Sequence, residues 1–192
     1  DLEKSVLIAN ANGGIVLDGL PAKIAGSDVQ LTAAGPVTAK DVLLDACPLR
    51  ITSTAGSITL GNVTAKKVLS LVELKAFTII IAKIVDLESG PFTAIAQGNR
   101  IELGNVTARG AQVTLTAAAG TVKAGDVVLT PGRLTITAGV VLQLGKLTAT
   151  GSVANPAVVS LTAAGITALD VDLTDCSLDA TATNDIIGFG NV

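Results

Sequence analysis

The chain of 192 residues contains no histidine, tryptophan, tyrosine or methionine, and its aromatic residues are limited to Phe77, Phe92 and Phe189. Without histidine, a serine–histidine–aspartate triad, an imidazole base and a histidine metal site are excluded. The scarcity of large aromatics also argues against an ordinary globular core, which uses them to fill its volume. We therefore expect a narrow aliphatic core, no enzymatic activity and no cofactor.

Charge is scarce as well, at 15% of residues against 49% hydrophobic, and the net charge is −3. Such a chain lacks the basic footprint that binds nucleic acid or an anionic membrane surface. No apolar run approaches the roughly 20 residues of a membrane span, since Thr78 and Lys83 interrupt the densest one. Abundant Val, Ile and Thr with little charge favour strands over helix or disorder.

The tripeptide Gly-Asn-Val occurs at residues 61–63, 104–106 and 190–192, at separations of 43 and 86 residues. Short segments that alternate apolar residues with Thr or Ser recur at about half of the shorter interval, separated by Ala, Gly or Asn turns. We assign the glycines the positive φ that tight corners need. One period kept along the chain predicts an all-β fold, a parallel β-solenoid of about nine turns with about 21 residues per turn. We expect a single domain over residues 1–192.

Residues 68–98 fit this repeat least well. Phe77–Ala82 is bulkier than the equivalent segments, and Leu87–Phe92 has the composition of a loop. We expect irregular or degenerate turns here, with a protruding loop as the alternative.

The segments Leu115–Gly120 and Ile58–Ala65 resemble the repeats of filamentous-haemagglutinin-type secreted adhesins. The resemblance implies a right-handed parallel β-solenoid in an extracellular setting, and it implies no catalytic residue. More weakly, the composition is similar to that of microbial extracellular sheath and fibre subunits. Because the chain begins at Asp1 without an initiator methionine, we expect an extracellular or cell-surface protein whose signal peptide has been removed, or an excised fragment.

The two ends of the chain are expected to be in phase. From Gly190 through the end of one copy to Gly61 of a second copy is 63 residues, or three turns. An open strand edge pairs with available neighbours, and no capping segment follows the apolar residues near the C-terminus. We therefore predict head-to-tail self-assembly into a fibre, sheath or surface layer, with these edge residues: Asp1, Val6, Ile8, Ile186, Ile187, Phe189 and Val192.

Two other functions stay open. An adhesin or glycan-binding segment would present an exposed aromatic or acidic groove, and the sequence shows no aromatic groove. An ice-binding protein would present rows of threonine, and outward pairs are expected at Thr52/Thr54, Thr114/Thr116 and Thr135/Thr137. A cluster of Asp170, Asp172 and Asp175 could hold a cation, but a solvated corner explains it more simply.

Cys47 and Cys176 lie 129 residues apart in matching contexts. Six turns would place them at the same corner about 29 Å apart, too far for a disulfide between them. Pro48 and Ser177 suggest an exposed turn, which would permit a lateral disulfide between subunits. Two unpaired, partly buried thiols are the alternative.

Asn62 and Asn105 begin the pattern Asn-Val-Thr, which is the acceptor pattern for N-glycosylation. The same residues belong to the repeated Gly-Asn-Val tripeptide. They are therefore either glycosylation sites or asparagines that stack at a turn.

Overall fold

The computed structural model describes residues 6–17 and 27–191. These residues form 21 strands and no helix: β1 Val6–Ala11, β2 Ile15–Leu17, β3 Asp28–Ala33, β4 Val37–Ala39, β5 Val42–Asp45, β6 Leu49–Ser53, β7 Ile58–Leu60, β8 Val63–Lys66, β9 Val72–Ala76, β10 Ile79–Glu88, β11 Phe92–Ala96, β12 Arg100–Arg109, β13 Gln112–Ala117, β14 Thr121–Ala124, β15 Val127–Thr130, β16 Arg133–Ala138, β17 Val141–Thr150, β18 Ala157–Ala163, β19 Gly165–Thr174, β20 Cys176–Ala182 and β21 Ile187–Asn191.

The strands pair in parallel with their equivalents one turn away, so the predicted parallel β-solenoid is confirmed. Nine strands form the first sheet, in the order β1-β3-β6-β9-β11-β13-β16-β18-β20. Leu7 of the first strand and Leu178 of the ninth occupy equivalent positions, eight turns apart. We call each turn a rung and number the rungs 1 to 9 from β1 to β20.

In rungs 2 to 8 the second sheet covers two faces because its strands bend at a corner. In β10 and β12, residues 79–82 pair with 100–103 and residues 84–88 pair with 105–109, while Lys83 and Gly104 lie at the bend. Elsewhere the bend splits the strand in two, as between β7 and β8 or between β14 and β15. The coil therefore has three faces: the first sheet, the second face before the bend, and the third face after it.

The core is a column of inward-facing aliphatic residues that alternate with outward residues along each face, and two successive outward residues mark the bend in β10, β12 and β17. In the first sheet the third inward position is Ala in eight of nine rungs and Ser53 in the other. Phe92 is the one described aromatic that is fully buried. The small third position lets the chain turn sharply into the second face, which accounts for the scarcity of large side chains.

Inward residues on either side of the bend alternate between large and small from one rung to the next. The last inward position of the second face reads Leu17, Ala39, Leu60, Ala82, Leu103, Ala124, Leu144, Ala168 and Phe189. The second inward position of the third face reads Leu44, Ala65, Leu87, Ala108, Leu129, Ala149 and Leu173, in the opposite phase. Each of these rungs therefore carries one large and one small residue, and the repeating unit is two turns, the 43-residue spacing of Gly-Asn-Val.

Two of the three corners have different requirements. At the corner between the third face and the first sheet, φ is positive at Ala46, Lys67, Ser89, Gly110 and Asp175, so glycine is the exception there. The glycines of Gly-Asn-Val do not have positive φ. A Cβ at Gly104 would overlap the carbonyl oxygen of Lys83, and one at Gly190 would overlap that of Leu169. The expected reason for these glycines was wrong, since close approach of successive rungs requires them.

The segment 68–98 is more regular than expected. Strands β9 to β11 keep the parallel register, and Val72 and Phe92 are paired 20 residues apart. The irregular part is a short loop before β9, where Val68 and Leu69 are exposed. A second loop, residues 151–156, precedes β18. Residues 72–97 do not resemble the repeat in sequence because several of their outward positions carry apolar residues. Their inward positions, such as Ile80 and Ala82, remain typical of the repeat.

Candidate functional surfaces

The C-terminal end of the coil exposes an unpaired rung. Among the described residues, β20 pairs with β18 alone and β21 with β19 alone. The inward residues Leu178, Ala180 and Phe189 pack on the core but are only partly buried, since no described residue covers them. Of the predicted edge residues, Ile186 and Ile187 are exposed beside them, and Val192 lies outside the described residues.

At the opposite end, β1 and β2 form the first rung. Val6 and Ile8 point outward and are exposed, whereas Leu7, Ala9 and Leu17 face inward and are partly buried. The edge prediction therefore selected the outward residues of β1 and missed the inward ones. An alignment of the alternating pattern of β1 with that of β3 would have identified them. Asp1 lies outside the described residues.

The C-terminal end is also acidic. After Lys146 the chain has no lysine or arginine, and it has five aspartates: Asp170, Asp172, Asp175, Asp179 and Asp185. Of these five aspartates, only Asp172 forms an ion pair with another described residue, Lys146, at 3.7 Å. No group of three or more potential metal ligands is found in the part of the chain that the structure describes.

Side chains at the bend form a ladder of hydrogen bonds along the axis. The N–H of Asn62 donates to Oδ1 of Asp41 at 2.9 Å, and the N–H of Asp126 donates to Oδ1 of Asn105 at 3.0 Å. The amide nitrogen Nδ2 of Asn191 donates to Oδ1 of Asp170 at 3.0 Å. Asn62 and Asn105 thus occupy stacked corner positions, as one of the two readings of these residues expects, and glycosylation stays a prediction.

Among the described residues neither cysteine forms a disulfide, and the two lie at one corner, six turns apart in the same inward row. Cys47 is 0% exposed, so the exposed turn expected there is wrong, and its thiol cannot reach a neighbouring molecule while the rung is intact. Cys176 is partly buried in the last rung. Burial, and to a lesser degree the charge of Asp175, raises the pKa of its thiol, while a hydrogen bond with the backbone of Thr174 acts the other way. A lateral disulfide remains a prediction for Cys176 alone.

Outward threonines form one row along the first sheet and part of a second row beside it. The row contains Thr32, Thr52, Thr116, Thr137, Thr162 and Thr181, but Lys75 and Ile95 interrupt it. The predicted pairs Thr114/Thr116 and Thr135/Thr137 are adjacent, whereas Thr52 is separated from them by the interruption. The threonine array is not continuous, and ice binding stays a prediction.

A groove of about 320 Å³ lies where that row is interrupted. Its outward lining comes from rungs 3 to 5: Thr52, Thr54, Lys75, Phe77, Ile95 and Gln97. Phe77 is 50% exposed. The sequence offered no aromatic groove because Phe77 lies in the segment that fitted the repeat least well.

The described residues include no helix long and apolar enough to cross a membrane. Comparison with protein-family models, with curated proteins and with solved structures finds no match to this chain. The β-solenoid that the resemblance to haemagglutinin-type repeats implies is present, and kinship with those adhesins stays a prediction.

Proposed function

We infer that this protein is a non-enzymatic, extracellular or cell-surface structural subunit that associates end to end with further copies of itself. The supporting observation is the match between the first and last rungs. Leu7, Ala9 and Ala11 occupy the same inward positions in β1 as Leu178, Ala180 and Ala182 in β20. A second copy would add its first rung as one more parallel strand pair and cover the exposed inward residues of the last rung.

The junction would differ from an interior contact in two ways. The nine rungs begin and end with a large residue at the alternating position, so Leu17 of one copy would lie over Phe189 of the next. The five aspartates would also surround the joint. Both features weaken the junction relative to an interior rung contact, and salt should strengthen it by screening the carboxylates.

Sedimentation velocity and negative-stain microscopy at increasing protein and salt concentration test the proposal. We expect linear assemblies whose length rises with both variables. Ala180→Lys places a charge in the inward row of the last rung and should abolish them. The matched control Thr181→Lys adds the same charge to the outer face of the same strand and should leave them intact. Monomers under all conditions, or equal effects of the two variants, would contradict end-to-end association.

A further inference from the structure

One stretch of the coil departs from the repeat in its outward residues while its backbone stays regular. In β9 and β11 the pairing register is unbroken, yet Lys75 and Ile95 replace the threonines that most other rungs carry in that row. At the adjoining corner, Phe77 lies between Thr54 and Gln97. The other rungs carry Ala or Gly at this position, except for Asn12 in the first rung and Thr183 in the last. The regular backbone does not require these departures from the repeat, so we look for another cause of them.

These departures meet at one place. The groove of about 320 Å³ is lined by Lys75, Phe77, Ile95 and Gln97, together with Thr52 and Thr54. Phe92 is buried and Phe189 lies in the last rung, so Phe77 is the one described aromatic exposed on the side of the coil. Half of the Phe77 side chain is exposed, so burial in the core does not account for an aromatic residue at this position.

The lining is amphipathic and close to neutral. Phe77 and Ile95 provide apolar surface, and the hydroxyl of Thr52 and the amide of Gln97 provide donors and acceptors beside it. The hydroxyl of Thr54 donates to the carbonyl oxygen of Ala33 at 3.4 Å and can accept a further hydrogen bond. The single charged group, Lys75, is bound to Glu73, with Nζ and Oε1 2.5 Å apart. A ligand that fits such a site has one face of C–H bonds, hydroxyl groups at its edges and no strong charge.

We propose that this groove binds a neutral saccharide, with one sugar ring stacked on Phe77. The electron-rich face of the phenyl ring attracts the C–H bonds on the flat side of a pyranose. Gln97, Thr52 and Thr54 hydrogen-bond the hydroxyls at the edge of the sugar, and Ile95 contacts its apolar side. The site lies on the side of the coil and does not rest on the end-to-end association proposed above.

Saturation-transfer difference NMR tests the site with the methyl glycosides of glucose, galactose, mannose and N-acetylglucosamine. We expect at least one to receive saturation from the protein, most strongly at ring protons of one face. Phe77→Ala and Phe77→Leu should each weaken that ligand about tenfold, since Leu keeps an apolar side chain but removes the aromatic face. The matched control is Val140→Ala, which truncates an exposed apolar residue, 47% exposed, near the same corner three rungs away.

Each outcome decides the proposal. Binding that is lost in both Phe77 variants and kept in the control supports it. No binding of any of the four glycosides, or equal binding to wild type and Phe77→Ala, overturns it. Sedimentation velocity of the same variants is run in parallel. If the Phe77 variants abolish self-association while wild type ignores the sugars, the groove is a lateral contact between copies and the saccharide proposal fails. Circular dichroism verifies that all variants keep the fold.

Discussion

The alternation of large and small inward residues predicts the outcome of a volume swap within one rung. Leu103 and Ala108 lie on the two sides of the bend in β12, and both are nearly fully buried. Leu103 has Ala82 and Ala124 in the rungs on either side, and Ala108 has Leu87 and Leu129. Leu103→Ala should cost about 2–5 kcal/mol in the free energy of unfolding, because it leaves a cavity. Ala108→Leu should cost about 1–3 kcal/mol by overpacking.

The double variant distinguishes packing within a rung from packing between rungs. It conserves the volume of its own rung, and a volume-conserving swap usually costs below about 1.5 kcal/mol. It also places three small residues in one row and three leucines in the other. If the alternation fits rungs to each other, the double variant should therefore cost about as much as the two single variants together, roughly 3–8 kcal/mol.

Urea unfolding followed by circular dichroism measures these changes, since the chain has no tryptophan or tyrosine for fluorescence. Thr107→Ala, an outward change between the two positions, should alter stability by less than about 0.5 kcal/mol. A double variant as stable as wild type would show that only the volume of each rung matters. That result would refute the two-turn unit as a packing unit.

Three further predictions concern corners and thiols. Ile84, 47% exposed, interrupts the ladder at the bend. Ile84→Asp would offer Asn105 the acceptor that Asp170 offers Asn191, which should raise stability by about 0.5–1.5 kcal/mol. Thermal unfolding should show this gain for Ile84→Asp and none for Ile84→Ala, and equal midpoints for the two variants would exclude this cause. Ser89→Gly should stabilise by up to about 1 kcal/mol, because a positive φ costs a non-glycine residue more than glycine loses in chain freedom. Ser89→Ala keeps the strain, and urea midpoints that rank it equal to Ser89→Gly would contradict the argument. With a thiol reagent, Cys176 should react in the folded protein and Cys47 only after unfolding. Because the pKa of Cys176 is raised, its thiolate fraction at pH 8 should be lower than that of a free cysteine, and its labelling rate should increase as the pH rises further. Rapid labelling of folded Cys47 would show that the corner opens.

The parallel coil was predictable from the sequence because its causes are local. Alternation along a strand is visible over five or six residues, and the recurring Gly-Asn-Val fixes the period. Two features were not predictable in the same way. The opposite phase of Leu60 and Ala65 relative to Ala82 and Leu87 becomes visible only when rungs are aligned by their pairing. The glycines at the bend are explained by a neighbouring rung, which a linear pattern does not show.

The surfaces were less predictable than the fold. Strands at both ends of the coil were predicted as assembly edges, yet Val6 and Ile8 were selected where Leu7 and Ala9 face inward. The groove was missed because its residues come from three rungs and come together only once the chain is coiled. Cys47 was expected at an exposed turn, but its row faces the core, where a thiol packs as a small apolar residue.

In this fold, inward and outward residues answer to different constraints. An inward residue must fit the rungs on both sides, so its size is fixed by its neighbours and it tolerates little change. An outward residue on a middle rung contacts solvent and the outward residues beside it, as Lys75 contacts Glu73. A threonine such as Thr116 or Thr137 needs no specific partner there. The outward residues Lys75, Phe77 and Ile95 differ from the repeat without disturbing the core. The inward residues beside them, Leu74, Ala76 and Ala94, remain buried. The outward departures of rungs 4 and 5 are therefore the part of the sequence that the fold does not explain, and their convergence on one groove is the reason to look for a ligand there.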